Sequence, residues 1–291
     1  MFHGVLTAMV TPFRDGEVDF DRLRANVVQQ VRAGVDGLVP CGTTGESPTL
    51  SHEEHEQVVE AVVEAAEGSV PVVAGTGSNS TQEALRLTRH AAKVGATASL
   101  QVCPYYNKPS QEGMYRHFMS IADSVDLPMV LYNIPGRTAV TLSPQTVARL
   151  AEHPNIVGIK EATGSMDIAS EIATLCPPRS MTILSGDDSL TLPLVSIGGR
   201  GVISVASNLV PRRLVSMVHA ALAGEWDDAR QRHLELFALL RALFLEGNPV
   251  SVKAAMQLTG SDSGEVRLPL VPMSDAGIDT LRAVLAEYEL V

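Results

Sequence analysis

The sequence predicts an α/β fold, namely a (β/α)8 TIM barrel followed by a small C-terminal helical extension. Short apolar runs alternate with segments of helical period about eight times by residue 224, and eight strand–helix units close such a barrel. The apolar runs are continuous, as in parallel strands that are buried on both faces. A doubly wound open sheet is the alternative architecture, but it usually has fewer strands and a phosphate-binding loop after the first one.

Each strand candidate is followed along the chain by a helix candidate. The strands are expected, in order, in GVLTAMVTPF, GLVPC, PVVAGT, ASLQVCP, PMVLYNIP, NIVGIKEA, MTILSGD and GVISVAS. Ser and Asp side chains accept hydrogen bonds from the free N–H groups at the start of a helix. Such residues precede five of the helical segments, and we expect them to cap those helices: Asp19, Ser51, Ser80, Ser110 and Ser143.

The strand candidates end before residue 224, and three helical patterns follow them. These patterns lie in DDARQRHLELFALLRALF, NPVSVKAAMQL and SDAGIDTLRAVLAEYEL. We therefore expect a barrel that carries the active site in residues 1–224 and a C-terminal helical domain in residues 225–291.

The bulk composition excludes several classes of function. The chain has 45% hydrophobic residues, as a soluble globular protein does, and its net charge of −11 disfavours binding to nucleic acids and anionic membranes. Its three cysteines are too far apart for a disulfide framework or a zinc site. His52 and His55 lack the i, i+4 spacing of a HExxH zinc site, so we expect no metal. Neither a signal peptide nor an apolar run of about 20 residues is present, which predicts a cytoplasmic protein.

Lys160 is the most unusual residue of the chain, because it ends the apolar run NIVGIK in a protein with only four lysines. A buried lysine is costly unless it is paired or neutral, and a neutral lysine is a nucleophile. The alternative is a solvated lysine that merely caps a strand end.

Other candidate residues lie on or just after different strands of the same predicted barrel. In such barrels the reactive groups gather at the carboxyl ends of the strands. We therefore expect the following residues to converge with Lys160 on one mouth: Thr43, Thr44, Tyr132, Gly186 and Ile203.

Their chemistry suits a lysine-dependent aldolase that acts on a small 2-oxo acid. Desolvation lowers the pKa of a buried lysine, so that its free amine attacks a ketone and forms a Schiff base. The hydroxyls of Tyr132 and Thr43 form a short proton relay. Arg137 can hold a carboxylate in bidentate fashion. Taken alone, each of these residues has a structural alternative, since a tyrosine at a strand end mostly serves in packing.

Six motifs occur in an order and spacing that closely resemble the dihydrodipicolinate synthase family, also called 4-hydroxy-tetrahydrodipicolinate synthases. The resemblance spans the whole chain and rests on GTTGES (Gly42–Ser47), YYNKPSQEG (Tyr105–Gly113), YNIPGRT (Tyr132–Thr138), GIKEATG (Gly158–Gly164), LSGDD (Leu184–Asp188) and GVISVASN (Gly201–Asn208). It implies a cofactor-free (β/α)8 class I aldolase that forms a homotetramer, a dimer of dimers. Its reaction would condense pyruvate with L-aspartate 4-semialdehyde on the diaminopimelate route to lysine.

The resemblance also implies roles for individual residues. Lys160 would form the imine with pyruvate. Tyr132, Thr43 and Tyr106 would form the proton relay, with Tyr106 coming from a neighbouring subunit. The residues implied in substrate binding are Thr44 for the pyruvate carboxylate, Arg137 for the semialdehyde carboxylate, and the backbones of Gly186 and Ile203.

A second, allosteric site for lysine is also implied by the resemblance. In lysine-inhibited members of the family, lysine binds at a dimer interface, and the matching residues here are Ser47, His52, His55, Asn79, Glu83 and Tyr105. Glu83 would pair with the α-ammonium group of the ligand, and His55 would contact its side chain. The alternative is that HEEHEQ is a solvated helix face, and Pro48 stands where some sensitive members have a smaller residue.

Two other functions remain open from the sequence. A sister aldolase, such as N-acetylneuraminate lyase or a keto-deoxy sugar acid aldolase, would share the lysine and the tyrosine but would generally lack the equivalent of Arg137. A non-catalytic ligand sensor with the same fold would be expected to have lost Lys160, Tyr132 or Thr43.

Overall fold

The structure is a computed structural model that describes residues 2–177 and 180–291. Its strands are β1 (Gly4–Ala8), β2 (Phe13–Arg14), β3 (Glu17–Val18), β4 (Gly37–Val39), β5 (Val73–Gly75), β6 (Ala98–Val102), β7 (Met129–Asn133), β8 (Ile156–Glu161), β9 (Thr182–Ser185) and β10 (Gly201–Ser204).

Helices follow the long strands and continue beyond the last of them. They are α1 (Phe20–Ala33), α2 (His52–Ala66), α3 (Thr81–Lys93), α4 (Gln111–Ser124), α5 (Pro135–Thr138), α6 (Pro144–Leu150), α7 (Met166–Leu175), α8 (Thr191–Ser196), α9 (Pro211–Ala223), α10 (Trp226–Ala242), α11 (Val250–Leu258) and α12 (Asp275–Glu287). Within the described ranges, no helix is both long enough and apolar enough to cross a membrane.

Eight parallel strands form the barrel, in the spatial order β4-β1-β10-β9-β8-β7-β6-β5. The remaining seam, between β4 and β5, is joined by a bridge between Leu38 and Val72 and by a 2.9 Å hydrogen bond from Gly75 N to Pro40 O. The predicted (β/α)8 fold is confirmed, and so is its C-terminal helical extension.

The continuous apolar runs are buried on both faces, as parallel barrel strands require. One set of side chains packs outward against the helices. The other set fills the inside of the barrel and includes Leu6, Val39, Tyr132, Leu184 and Ile203. Because these inward residues close the barrel interior, a ligand can approach only at the ends of the strands.

All five predicted helix caps are confirmed. The side chains of Asp19, Ser51, Ser80, Ser110 and Ser143 each accept a hydrogen bond from a backbone N–H in the first turn of α1, α2, α3, α4 and α6.

The β2–β3 hairpin was not predicted, because the first strand candidate ended at Phe13 and no element was assigned to residues 14–18. Asp15 and Gly16 form its turn, both with positive φ (54° and 83°). An Asp-Gly pair is a strong signal for such a turn, because its backbone twist matches that of the flanking strands.

The C-terminal helices pack back onto the barrel. Helix α10 lies against α9, and α12 lies against α10 and α11. Helix α11 is buried over most of its length. It brings the fully buried Lys253 to within 2.6 Å of Glu46, in the loop that follows β4.

Candidate active site

A cavity of about 650 Å³ opens at the carboxyl ends of the strands. Three of the residues predicted for the active site line it: Thr43, Tyr132 and Arg137. They come from the loop after β4, from the end of β7 and from α5. The barrel therefore brings together residues separated by almost one hundred positions, because parallel strands present their carboxyl ends on one side.

Lys160 lies beside this cavity and is almost completely buried, with 5% of its surface exposed. It is paired in register with Tyr132 on the neighbouring strand, and its Nζ lies 4.3 Å from the centre of the tyrosine ring. Among the described residues, no carboxylate oxygen lies within 4.0 Å of this amine. The Lys160 amine is therefore buried beside the Tyr132 ring without a charged partner in the described part of the chain.

Gly186 leaves the space that the Lys160 side chain occupies. A Cβ atom at Gly186 would lie 3.1 Å from Lys160 Cε and 2.6 Å from the Cβ of Ala162. The loop after β9 is held at this distance by a 2.8 Å hydrogen bond from Gly186 N to Glu161 O. Gly186 is thus needed for close packing rather than for an unusual backbone angle.

Thr43 and Thr44 form part of a tight turn after β4. The backbone N–H of Glu46 donates to Thr43 O (3.1 Å), and that of Gly45 donates to Gly42 O (3.1 Å). Thr44 is buried, and its hydroxyl accepts a 3.0 Å hydrogen bond from Asn248 Nδ2. Thr43 shares the cavity with Tyr132, although within the described residues no hydrogen bond joins the two hydroxyls.

Arg137 stands at the rim of the cavity on the short helix α5. Its Nη2 donates a 3.0 Å hydrogen bond to the backbone carbonyl of Asn248. Arg137 also lines the cavity, and a guanidinium group in that place can bind a carboxylate.

Tyr106 is not among the residues that line the cavity. Its side chain is 89% exposed, and its backbone has a φ of 73°, in the left-handed region that non-glycine residues rarely adopt. The preceding residue, Tyr105, lines the cavity instead. Ile203, on β10, belongs to the apolar cluster inside the barrel, together with Tyr132.

The sequence matches the family model for the dihydrodipicolinate synthetase family over residues 1–288. The chain belongs to this family. The resemblance drawn from the six motifs is therefore confirmed.

Individual members of the dihydrodipicolinate synthetase family match over their whole length. The 4-hydroxy-tetrahydrodipicolinate synthase of Geotalea daltonii is 54% identical over 291 residues, which is all of both chains. The chloride-inhibited dihydrodipicolinate synthase of Acinetobacter baumannii, solved with pyruvate, is 42% identical with a TM-score of 0.97 and covers all of both chains. The enzyme of Cyanidioschyzon merolae, solved with lysine bound, is 41% identical with a TM-score of 0.97, over 100% of this chain and 99% of that one.

Five of the six residues of the predicted second site line the same cavity. Its lining includes Ser47, His52, His55, Glu83 and Tyr105. The remaining predicted member, Asn79, is not among the lining residues, and its backbone carbonyl accepts a 2.9 Å hydrogen bond from Asn107 Nδ2.

Glu83 is the acidic residue among them. One of its carboxylate oxygens lies 3.3 Å from His52 Nε2, and the other accepts a hydrogen bond from the Ser78 hydroxyl. His55 points inward, where its Nε2 bonds Gly75 O at 2.8 Å. Burial lowers the pKa of His55 to about 4, so that its ring is neutral at pH 7. Glu83 therefore provides the charge that would attract an ammonium group, and His55 does not.

Three residues that contact the site were not singled out by the sequence analysis. Asn248 contacts both Thr44 and Arg137, while Lys253 pairs with Glu46 behind the Thr43–Thr44 turn. All three look ordinary in the sequence: Glu46 resembles a turn residue, and the others resemble parts of a helical segment. Only their contacts with one another and with the site residues indicate that they belong to the site, and these contacts are visible only in the folded structure.

Proposed function

We propose that the protein condenses pyruvate with L-aspartate 4-semialdehyde through an imine on Lys160, as a 4-hydroxy-tetrahydrodipicolinate synthase. The observation that carries this proposal is the buried Lys160, which has no carboxylate partner in the described part of the chain and lies 4.3 Å from the Tyr132 ring beside the cavity. Full-length relatives of that name, at up to 54% identity, support it.

The neutral amine of Lys160 attacks the ketone carbon of pyruvate, and the ketone oxygen leaves as water once it has gained two protons. The protonated imine withdraws electrons, so the methyl carbon of pyruvate loses a proton and becomes an enamine. This carbon attacks the aldehyde, whose oxygen takes up a proton. Attack by the amine of the semialdehyde on the imine carbon then closes a six-membered ring and frees Lys160 Nζ.

The side chains around Lys160 are proposed to bind the two carboxylates and to move these protons. Thr44 and the backbone of the turn would hold the pyruvate carboxylate, with Gly186 and Ile203 shaping the pocket. Arg137 would hold the carboxylate of the semialdehyde, which a sugar-acid aldolase does not need. Tyr132 and Thr43 would form the relay.

We propose that Tyr106 completes the relay of a neighbouring subunit, in a homotetramer built as a dimer of dimers in the cytoplasm. A tyrosine that is 89% exposed with a left-handed backbone is poorly placed to serve its own cavity, and a partner subunit would cover it. In this arrangement residues 1–224 form the catalytic barrel, and residues 225–291 form the helical domain. Tyr106→Phe should lower kcat without lowering Tm, and unchanged turnover would contradict the role.

We also propose that lysine binds at Ser47, His52, His55, Asn79, Glu83 and Tyr105 as a feedback inhibitor. The support is a carboxylate, Glu83, on a cavity wall that is continuous with the active site. The family member from Cyanidioschyzon merolae, which was solved with lysine bound, supports the same reading.

Trapping with borohydride tests the central proposal. Hydride reduces the imine to a stable secondary amine, so the protein incubated with pyruvate should gain one pyruvate-derived group on Lys160, located by peptide mass spectrometry. Lys160→Ala should gain none. Labelling of Lys253 or Lys108 in that variant would place the nucleophile elsewhere.

The choice of acceptor separates the synthase from its sister aldolases. We expect rapid turnover with L-aspartate 4-semialdehyde and little with N-acetylmannosamine or glyceraldehyde. Turnover with the sugar aldehydes alone would leave Lys160 as the imine-forming residue but would refute the proposed substrate.

A further inference from the structure

Lys253 and Glu46 form an ion pair that is completely enclosed by the protein. Lys253 Nζ lies 2.6 Å from Glu46 Oε1, and the two side chains are 0% and 1% exposed. Burying two charges costs so much solvation that replacing such a pair with apolar residues is often neutral or even stabilising. Stability alone therefore does not explain the pair, and its neighbours indicate another role.

Both carboxylate oxygens of Glu46 accept a hydrogen bond. Oε1 accepts from Lys253, and Oε2 accepts a 3.1 Å hydrogen bond from the backbone N–H of Arg267. The backbone of Glu46 has a φ of 53°, a left-handed conformation that costs energy in a residue with a side chain. The two contacts hold Glu46 in this conformation, and its own N–H then binds Thr43 O.

Lys253 is held just as tightly on the other side of the pair. It donates a second hydrogen bond, at 2.6 Å, to Glu265 O, and its ammonium lies 4.2 Å from the centre of the Phe13 ring. Burial lowers the pKa of Lys253, and the carboxylate of Glu46 opposes that shift. Lys253 thus anchors the C-terminal segment to the turn.

Asn248, just before α11, extends this contact to the substrate-binding residues. Its side chain donates to the Thr44 hydroxyl, and its backbone carbonyl accepts from the Arg137 guanidinium, both at 3.0 Å. One short segment of the C-terminal region therefore contacts both of the side chains that are proposed to bind substrate carboxylates.

We infer that the Lys253–Glu46 pair is a positioning device that docks the segment from Asn248 to Lys253 on the Thr43–Thr44 turn. It thereby sets Thr44 and Arg137 at the right separation for the two substrate carboxylates. This inference rests on the proposed function, because the carboxylates are those of its substrates. Lys253 and Glu46 touch no substrate themselves and act only through Thr44 and Arg137.

The double variant Glu46→Gln/Lys253→Met tests this role, because it removes both charges and leaves neither one buried alone. We expect the KM values for pyruvate and for the semialdehyde to rise about tenfold, the effect of about 1.4 kcal/mol in binding. Borohydride trapping at saturating pyruvate should still label Lys160. A purely structural pair would change Tm and the active fraction but neither KM.

Asn248→Ala is the second test, and it involves no buried charge. The variant loses the hydrogen bond to Thr44 but keeps the backbone carbonyl that binds Arg137. The KM for pyruvate should rise about threefold to tenfold, as for one lost hydrogen bond, while the KM for the semialdehyde should stay the same. This difference between the two KM values shows whether the segment positions Thr44, even if the double variant does not fold.

Tyr288→Phe is the matched control from the same C-terminal region. The Tyr288 hydroxyl donates a 2.5 Å hydrogen bond to Glu235 O on α10 and has no contact with the Lys253–Glu46 pair, so its loss should lower Tm and leave both KM values unchanged. Wild-type KM values in Asn248→Ala would overturn the inference. Failure of the wild-type protein to trap pyruvate would instead refute the proposed function.

Discussion

Replacing Gly186 with alanine fills the space beside Lys160 without replacing any side chain that is proposed to carry chemistry. The new Cβ would lie 2.6 Å from Ala162 Cβ, 3.1 Å from Lys160 Cε and 3.2 Å from Lys160 Cγ. Favourable contacts between carbon atoms lie at about 3.5 to 4.0 Å. The Cβ of Ala162 is attached directly to the backbone, so the loop after β8 must move by roughly 1 Å, and Lys160 must move with it.

The size of the effect follows from this displacement. Overpacking of a filled interior costs about 1 to 3 kcal/mol, so Tm should fall by several degrees. A misplacement of about 1 Å at a reacting group costs about a hundredfold in rate. We therefore expect imine formation, measured by borohydride trapping in single-turnover experiments, to slow by about that factor. The kcat for condensation should fall in parallel.

Gly136→Ala is the matched control at the same mouth of the barrel. Gly136 lies on α5, and a Cβ added there would have no heavy atom within 4 Å. This variant should keep the wild-type rate of imine formation. If Gly186→Ala forms the imine within about twofold of the wild-type rate while its Tm falls, Lys160 does not need the space and the reasoning is wrong.

Three more predictions concern other parts of the molecule. Arg137→Met should raise the KM for the semialdehyde about tenfold to a hundredfold, the value of a charged hydrogen bond, while pyruvate trapping stays normal; an unchanged KM would remove Arg137 from substrate binding. Glu83→Gln should weaken lysine binding in calorimetry, and a wild-type protein that binds no lysine at millimolar concentration would eliminate the second site. Burial lowers the pKa of His117 from 6.5 to about 4. Between these pH values the unfolded chain binds more protons than the folded one, so the protein becomes less stable as the pH falls. His117 should therefore lower the free energy of unfolding by about 2 kcal/mol between pH 7 and pH 5. In urea unfolding, His117→Gln should lose less unfolding free energy than the wild-type protein between these two pH values. An equal loss in both proteins would contradict the prediction.

The positions of Lys160, Tyr132 and Thr43 were predictable because each follows a continuous apolar run. Parallel strands align their carboxyl ends, so finding where a run ends also locates the residue at the barrel mouth. The helix caps were predictable for a similar reason, since Ser51 acts within its own turn and needs only its neighbour Glu54. In all these cases the deciding interactions are local, or they follow from the symmetry of the barrel.

The partners of these residues were not predictable in the same way. Glu46 and Lys253 are 207 positions apart, and neither lies in a pattern that indicates burial of a charge. Tyr106 follows Tyr105 directly, yet Tyr105 lines the cavity whereas Tyr106 is exposed and has a left-handed backbone. Such features depend on long-range packing and on single backbone angles, and hydrophobic periodicity reports neither of them.

The two buried lysines show how the surroundings of a residue decide its chemistry. Lys253 has a carboxylate at 2.6 Å and a backbone carbonyl at the same distance, so its amine stays occupied as a donor and cannot attack a ketone. Lys160 has the ring of Tyr132 nearby and a glycine where another residue would crowd its side chain. Of these two amines, only that of Lys160 is therefore suited to the proposed attack on a ketone. Because neighbouring strand ends supply Lys160, Tyr132 and the contact with Gly186, the barrel provides the proposed nucleophile, its proposed relay and its space through the register of β7, β8 and β9.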